Sequence, residues 1–224
     1  MTFSIIGRCD ETGELGIAIA SSSIAVGARC PWLEPGVGAV STQNLTLPAL
    51  GPQVLDHIAG GALPAQALDN ALTRNGYSHL RQLTVIDHQG RTAHFSGSET
   101  LGCHHALAGE QCVGAGNLLA RTSVIDTMVR TFETTGGHLA DRLVAALQAA
   151  VAAGGEAGPV HSAALIVVGE LTWPIIDLRI DWVEDDPVSH LATLWTAYRP
   201  HMQDYIVRAL NPNKAPRYGV PGDE

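Results

Sequence analysis

The chain has 224 residues, 46% of them hydrophobic and 16% charged, which is the composition of a folded globular chain and not of a disordered one. That length accommodates one sizeable domain or at most two small ones. Acidic residues outnumber basic ones 22 to 13, for a formal net charge of −9; there is no basic run to hold nucleic acid, no apolar stretch long enough to span a membrane, and no secretory pattern in Met1-Thr2-Phe3-Ser4-Ile5.

In chain order, Thr2–Cys9 is apolar and partly β-branched and reads as a strand. Asp10-Glu11-Thr12-Gly13 has turn chemistry, and Glu14–Ser23 is the return strand of a hairpin. Leu15, Ile17 and Ile19 alternate with Gly16, Ala18 and Ala20, so neither face of that strand is polar and both are expected to be buried. Pro31–Gly36 reads as a loop and Val37–Gln43 as a third strand. Helical periodicity begins at Pro52 and stops at Gly60-Gly61; a second helix spans about Pro64–Asn75. Leu83–Ile86 and Arg91–Ser96 form a tight hairpin, and Gly102–Leu107 and Gln111–Gly116 a further strand pair. Asn117 begins a helical run to Phe132, and Leu139–Ala153 is an Ala-rich helix. Ser162–Val168 and Ile175–Asp181 are strands. A last helix runs from about Val188 to Tyr198, with continuation to Ala209 left open. Asn211–Glu224 reads as a loose tail. Runs of strands alternate with runs of helices, which opposes a doubly wound βαβ sheet and fits antiparallel sheets with helix pairs outside.

Among the 13 basic residues only Lys214, in the tail, is a lysine. A mechanism that needs a buried lysine is therefore nearly excluded. Cys9, Cys30, Cys103 and Cys112 show neither a C-x-x-C pair nor zinc spacing. They are expected as small, buried, reduced thiols, with a Cys103–Cys112 pairing left open.

The common catalytic signatures G-x-S-x-G, the Walker loop and H-E-x-x-H are missing. Gly114-Ala115-Gly116-Asn117 is an ordinary tight turn and a weak nucleotide motif. His104 and His105 are adjacent, so on a strand their rings point to opposite faces. His161 stands at a strand start beside Ser162. A metal-dependent hydrolase using His104, His105 or His161 is a third-ranked reading. The most suggestive position is Thr2. Removal of Met1 would leave a hydroxyl and a free α-amine on one residue, and such an amine titrates near 7.7–8.0 and can act as base for the hydroxyl. The hairpin brings Ser21, Ser22 and Ser23 back toward the same sheet end.

Thr2-Phe3-Ser4-Ile5, Asp10–Gly16 and Ala18-Ile19-Ala20-Ser21 resemble the opening of the DUF1028 family. Val26-Gly27-Ala28, Pro31-Trp32, Gly36–Gln43, Gly51-Pro52, Gly116–Leu119, Ser162–Leu165 and Asp177–Asp181 continue the resemblance, over about residues 2–200. It implies an Ntn-hydrolase-like α+β fold: a four-layer αββα sandwich of two antiparallel sheets flanked by helices. Separately, the absence of a composition break near the middle reads residues 1–210 as one domain, and 211–224 is a Pro/Gly-rich tail. By the DUF1028 resemblance, Thr2 is the nucleophile of an amidohydrolase acting on a small amide or peptide-like bond. Ser21 or Ser22 would orient its amine, and Asn117 or Gln43 would supply an amide N–H to the oxyanion or substrate. Arg29, Ser162 and His161 are further candidates on the substrate side. Arg29 can lend positive charge where related proteasome β subunits use a lysine, but it cannot shuttle protons. Asp177 and Arg179 are expected to form an ion pair that serves the fold. No cofactor, metal, nucleic acid or membrane is expected, and the chain is expected in the cytoplasm as a homo-oligomer. The alternative is a non-catalytic binding or assembly protein on the same fold.

Overall fold

The computed structural model describes residues 2–222. The opening hairpin pairs β1 (Thr2–Arg8) with β2 (Leu15–Ser21), and all seven residues of β2 are buried. Next come β3 (Pro31–Glu34), β4 (Gly38–Asn44), α1 (Leu50–Ala59) and α2 (Pro64–Thr73). They are followed by β5 (Arg81–Asp87), β6 (Thr92–Ser96), β7 (His105–Gly109), β8 (Cys112–Asn117), α3 (Ser123–Thr134) and α4 (Leu139–Ala152). The chain closes with β9 (Ser162–Val168), β10 (Ile176–Ile180), α5 (Pro187–Tyr198) and α6 (Met202–Leu210).

Two antiparallel sheets result: six strands in the order β10-β9-β2-β1-β8-β7, and four in the order β3-β4-β5-β6. Side chains alternate across each strand, and this sorts the cores. Phe3 and Ile5 on β1 and Ala18 and Ala20 on β2 pack with Phe132, Leu143 and Leu147 of the helix layer. Ile6, Ile17, Val113 and Ile166 point the other way and meet Ala39 and Ile86 of the second sheet. Val40, Leu83 and Val85 on that sheet's outer face pack against Val54, Leu55 and Leu68 of α1 and α2. The architecture is a four-layer αββα sandwich, as expected from the sequence. Phe132 lies so close to β1 that a methyl at Gly7 would fall 2.3 Å from its ring. Glycine at that position is what lets α3 seat on the central strand.

Three elements differ from the sequence reading. Pro31–Glu34 is an edge strand paired with β4, not a loop; a proline is compatible with the first residue of an edge, where its missing N–H costs nothing. Helix α1 begins at Leu50, so Pro52 sits in the first turn, where N–H groups lack helical partners anyway. Asn117 ends β8 instead of starting a helix. Leu118 turns the chain in the left-handed region, at φ 50°, and α3 starts only at Ser123. At the far end, the turn Arg199–His201 around Pro200 separates α5 from α6. The tail is not simply loose, because Arg208 donates to the Pro216 carbonyl and lies over the Tyr218 ring.

All four cysteines are free thiols, and Cys103 is exposed and Cys9 only partly buried, contrary to the expectation of four buried ones. Cys103 precedes β7, while Cys112 opposes Gly109 at the other end of that hairpin, which keeps them apart. Burial pushes the Cys112 thiol up to about 12. It therefore stays protonated and is no nucleophile. Asp177 and Arg179 form the expected ion pair, doubly hydrogen-bonded at 2.8 and 2.9 Å. No helix among the described residues is long and apolar enough to cross a membrane.

Candidate active site

Four neighbouring strands of the six-stranded sheet place one polar residue each in register: Ser162 on β9, Ser21 on β2, Thr2 on β1 and Asn117 on β8. All four are buried. In-register side chains on one face of a sheet are neighbours, and here the Thr2 and Ser21 hydroxyl oxygens are 3.2 Å apart. The row faces the second sheet, because Ser4, two residues on from Thr2, donates to Gln43 Oε1 on β4 at 2.8 Å.

A buried amide chain crosses from sheet to sheet beside this row. Gln43 Nε2 donates to Gln82 Oε1 at 2.8 Å, and Asn117 Nδ2 donates to the same oxygen at 3.1 Å. Gln82 Nε2 in turn donates to Ser96 Oγ and to the Gly116 carbonyl. Ser41 Oγ, like Ser4 Oγ, donates to Gln43 Oε1. Buried polar groups of this kind persist because they are paired, and together they hold Asn117 in one orientation next to Thr2. One atom escapes the pairing: Asn117 Oδ1 is buried with no hydrogen-bond partner among the described residues.

The start of β1 is closed by a residue that the sequence reading did not single out. Glu156 forms a backbone bridge with Leu119, two residues past Thr2's partner Asn117 on the β8 side. Its Oε1 accepts the N–H of Ser22, one residue past Thr2's partner Ser21 on the β2 side, at 3.3 Å. The side chain therefore crosses in front of the first residue of β1. Glu156 is only 5% exposed, and its Oε2 has no hydrogen-bond partner among the described residues. Burial pushes its carboxyl up to about 7, although hydrogen bonds from Ser22 favour the charged form. Two features place it there. Leu118's left-handed turn sends the chain toward residue 156, and the Leu118 carbonyl accepts the Ala157 N–H at 2.9 Å.

The other candidates take different places. Ser162 Oγ donates to the Ser23 carbonyl and accepts the Val26 N–H, so it staples the loop after β2. Arg29 donates to the carbonyls of Ile24 and Ala25 in that same loop. The His161 N–H binds the Ser21 carbonyl, but its ring stacks on Trp182 with centroids 4.3 Å apart. His104 is exposed, and His105 lies 3.3 Å from Asp126. Among the described residues no three His, Cys, Asp or Glu side chains converge on a metal position. Clefts of about 250 and 580 Å³ open near Asp10, at the opposite end of β1 from Thr2.

The model for the family of unknown function DUF1028 matches residues 2–191. The solved structure of a DUF1028 protein from Silicibacter pomeroyi is similar at a TM-score of 0.85 and 30% sequence identity, over 91% of this chain and 89% of that one. More distant matches are Anbu, an ancestral beta-subunit, from Yersinia bercovieri (TM-score 0.43, 10% identity, 92% of this chain and 97% of that one), and Anbu from Hyphomicrobium sp. strain MC1 (TM-score 0.42, 12% identity, 97% and 100%). No curated protein matches the chain. With most of its length under the family model and a sandwich shared with the Silicibacter protein, the chain belongs to the DUF1028 family.

Proposed function

We propose that the chain, once Met1 is removed, is an N-terminal-threonine amidohydrolase of the Ntn type acting on a small amide or peptide-like bond. The observation that carries this reading is the position of Thr2. It opens β1 inside a buried polar row, with Ser21 Oγ at 3.2 Å and the amide-held Asn117 on its other side. Thr2 Oγ1 attacks the substrate carbonyl carbon, and its α-amine accepts the hydroxyl proton. The carbonyl oxygen becomes an oxyanion, which an amide N–H such as that of Asn117 stabilises. Collapse breaks the C–N bond, and the leaving amine departs with the proton from the α-ammonium. The threonyl ester left behind is hydrolysed by water, which releases the acid and restores the hydroxyl.

Cytoplasmic location belongs to the same proposal, since four free thiols suit a reducing compartment. So does a symmetric homo-oligomer, the common state of soluble enzymes, which sedimentation would read. The test of function is a turnover screen over small amides, ureido compounds and short peptides, with Thr2→Ala as control. The variant should lose turnover, and its melting temperature should fall by no more than about 6 °C. That limit takes the Thr2–Ser21 hydroxyl contact as a neutral hydrogen bond of about 0.5–1.5 kcal/mol, at about 2–4 °C per kcal/mol. Turnover retained in Thr2→Ala refutes the nucleophile assignment. The second reading, a binding or assembly protein without turnover, is favoured by the single lysine's position in the tail. It is supported instead if ligand binding survives Thr2→Ala and no substrate is turned over.

A further inference from the structure

We propose that Glu156 is the positioning residue for the α-amine of Thr2, with its carboxylate crossing the start of β1 to receive the ammonium group. The inference rests on the reading of Thr2 as the first residue of the mature chain, and it adds a group that orients that terminus.

The geometry leaves little other role for this side chain. Glu156 is anchored just past the ends of both strands that flank β1, through its backbone at Leu119 and its Oε1 at Ser22. A carboxylate that spans those two anchors lies across the axis of β1, just beyond Thr2. An ammonium carries three N–H donors. Two buried acceptors without hydrogen-bond partners among the described residues stand at this sheet end: Glu156 Oε2 ahead of the strand and Asn117 Oδ1 beside it. A buried acceptor left unpaired is unfavourable, so each calls for a donor. Burial also argues for it: at 5% exposure the Glu156 carboxyl is costly to ionise, and a cation close by offsets that cost.

The nearby charged groups of the packed elements are engaged elsewhere. Arg29 is bound to the carbonyls of Ile24 and Ala25. His161 Nδ1 is 2.9 Å from the Val183 carbonyl, with its ring on Trp182. The guanidinium of Arg121 lies against Gly154 and is not among the hydrogen-bond partners of Glu156. The amine, once free, is the cation that the pair of acceptors fits. Held by Glu156 on one side, it presents its lone pair toward Thr2 Oγ1 when it deprotonates, which is the orientation a base for that hydroxyl needs.

The experiment uses the full chain starting at Thr2, released from an N-terminal fusion and confirmed by intact mass. The amine is titrated by trace acetic anhydride labelling across pH, with the exposed Lys214 as internal reference. The wild-type amine midpoint should lie at least one pH unit above that of Glu156→Gln, a tenfold change in protonation equilibrium. Midpoints within 0.2 units, roughly the precision of such a titration, overturn the proposal. A wild-type measurement guards against misfolding of the variant: the Glu156 carboxyl ¹³C signal should show a second inflection at the amine midpoint. Its absence overturns the proposal equally. Neither readout depends on turnover. A catalytically inert Thr2 would therefore fail the activity screen while leaving this test intact.

Discussion

Gln82 is the keystone of the polar bridge between the sheets, and Gln82→Met removes that bridge at nearly constant volume. Its Oε1 accepts from Gln43 Nε2 and Asn117 Nδ2, at 2.8 and 3.1 Å, in a fully buried setting. A thioether accepts neither bond usefully, so two amide N–H groups are left buried without acceptors. At about 1–3 kcal/mol for each, the loss is about 2–6 kcal/mol. For a chain of this length that corresponds to a fall in melting temperature on the order of 10 °C. Urea unfolding reads it directly: the midpoint should drop while the slope with denaturant stays the same. Gln43→Met made in the Gln82→Met background should cost less than it does alone, because the shared bond is already gone. A loss below about 1 kcal/mol at unchanged slope would refute the claim that this bridge holds Asn117 in place.

Further outcomes follow from single contacts. The Glu156 carboxyl titrates at about 7 in the folded chain, against an ordinary value of 4.5, so folding favours its protonated form. This group's penalty is absent below about pH 4.5, grows as pH rises and is complete above about 7, where it reaches roughly 3 kcal/mol at about 1.4 kcal/mol per unit. Urea titrations of wild type and Glu156→Gln, both with Met1 retained, should therefore diverge in favour of the variant between pH 5 and 8, and a pH-independent difference contradicts that burial. At Gly51 a methyl would lie 2.2 Å from the Trp32 ring, so Gly51→Ala should destabilise by about 1–3 kcal/mol in a thermal or urea melt. An unhindered helix position would show the opposite sign, a gain of up to about 1 kcal/mol.

The opening hairpin was legible because it follows local rules. Its alternation, its Asp-Glu-Thr-Gly turn and its length together set Thr2 opposite Ser21, the register found. Asn117 was picked out for its amide at the right sheet end but placed on a helix, since nothing in Asn117-Leu118-Leu119 announces a left-handed leucine. The edge strand β3 was hidden by prolines at positions 31 and 35, which usually punctuate loops. Gln82 gave no local sign of its role, because a glutamine on a strand reads as solvent-facing until a second sheet covers it. Glu156 was out of reach for a stronger reason. It follows Gly154-Gly155 in an irregular segment more than 30 residues from its partner Leu119. Its meaning comes from a bridge that only the folded sandwich creates.

The most direct test of the central claim is the mapping of a covalent adduct. The chain starting at Thr2 is treated with an electrophilic amide-bond mimic, such as a β-lactone, and its N-terminal peptide is sequenced by tandem mass spectrometry. The account predicts one adduct per chain, on Thr2 Oγ1, that is lost when Met1 is retained. An adduct confined to Cys103 or another side chain, or equal labelling of chains that keep Met1, would contradict it.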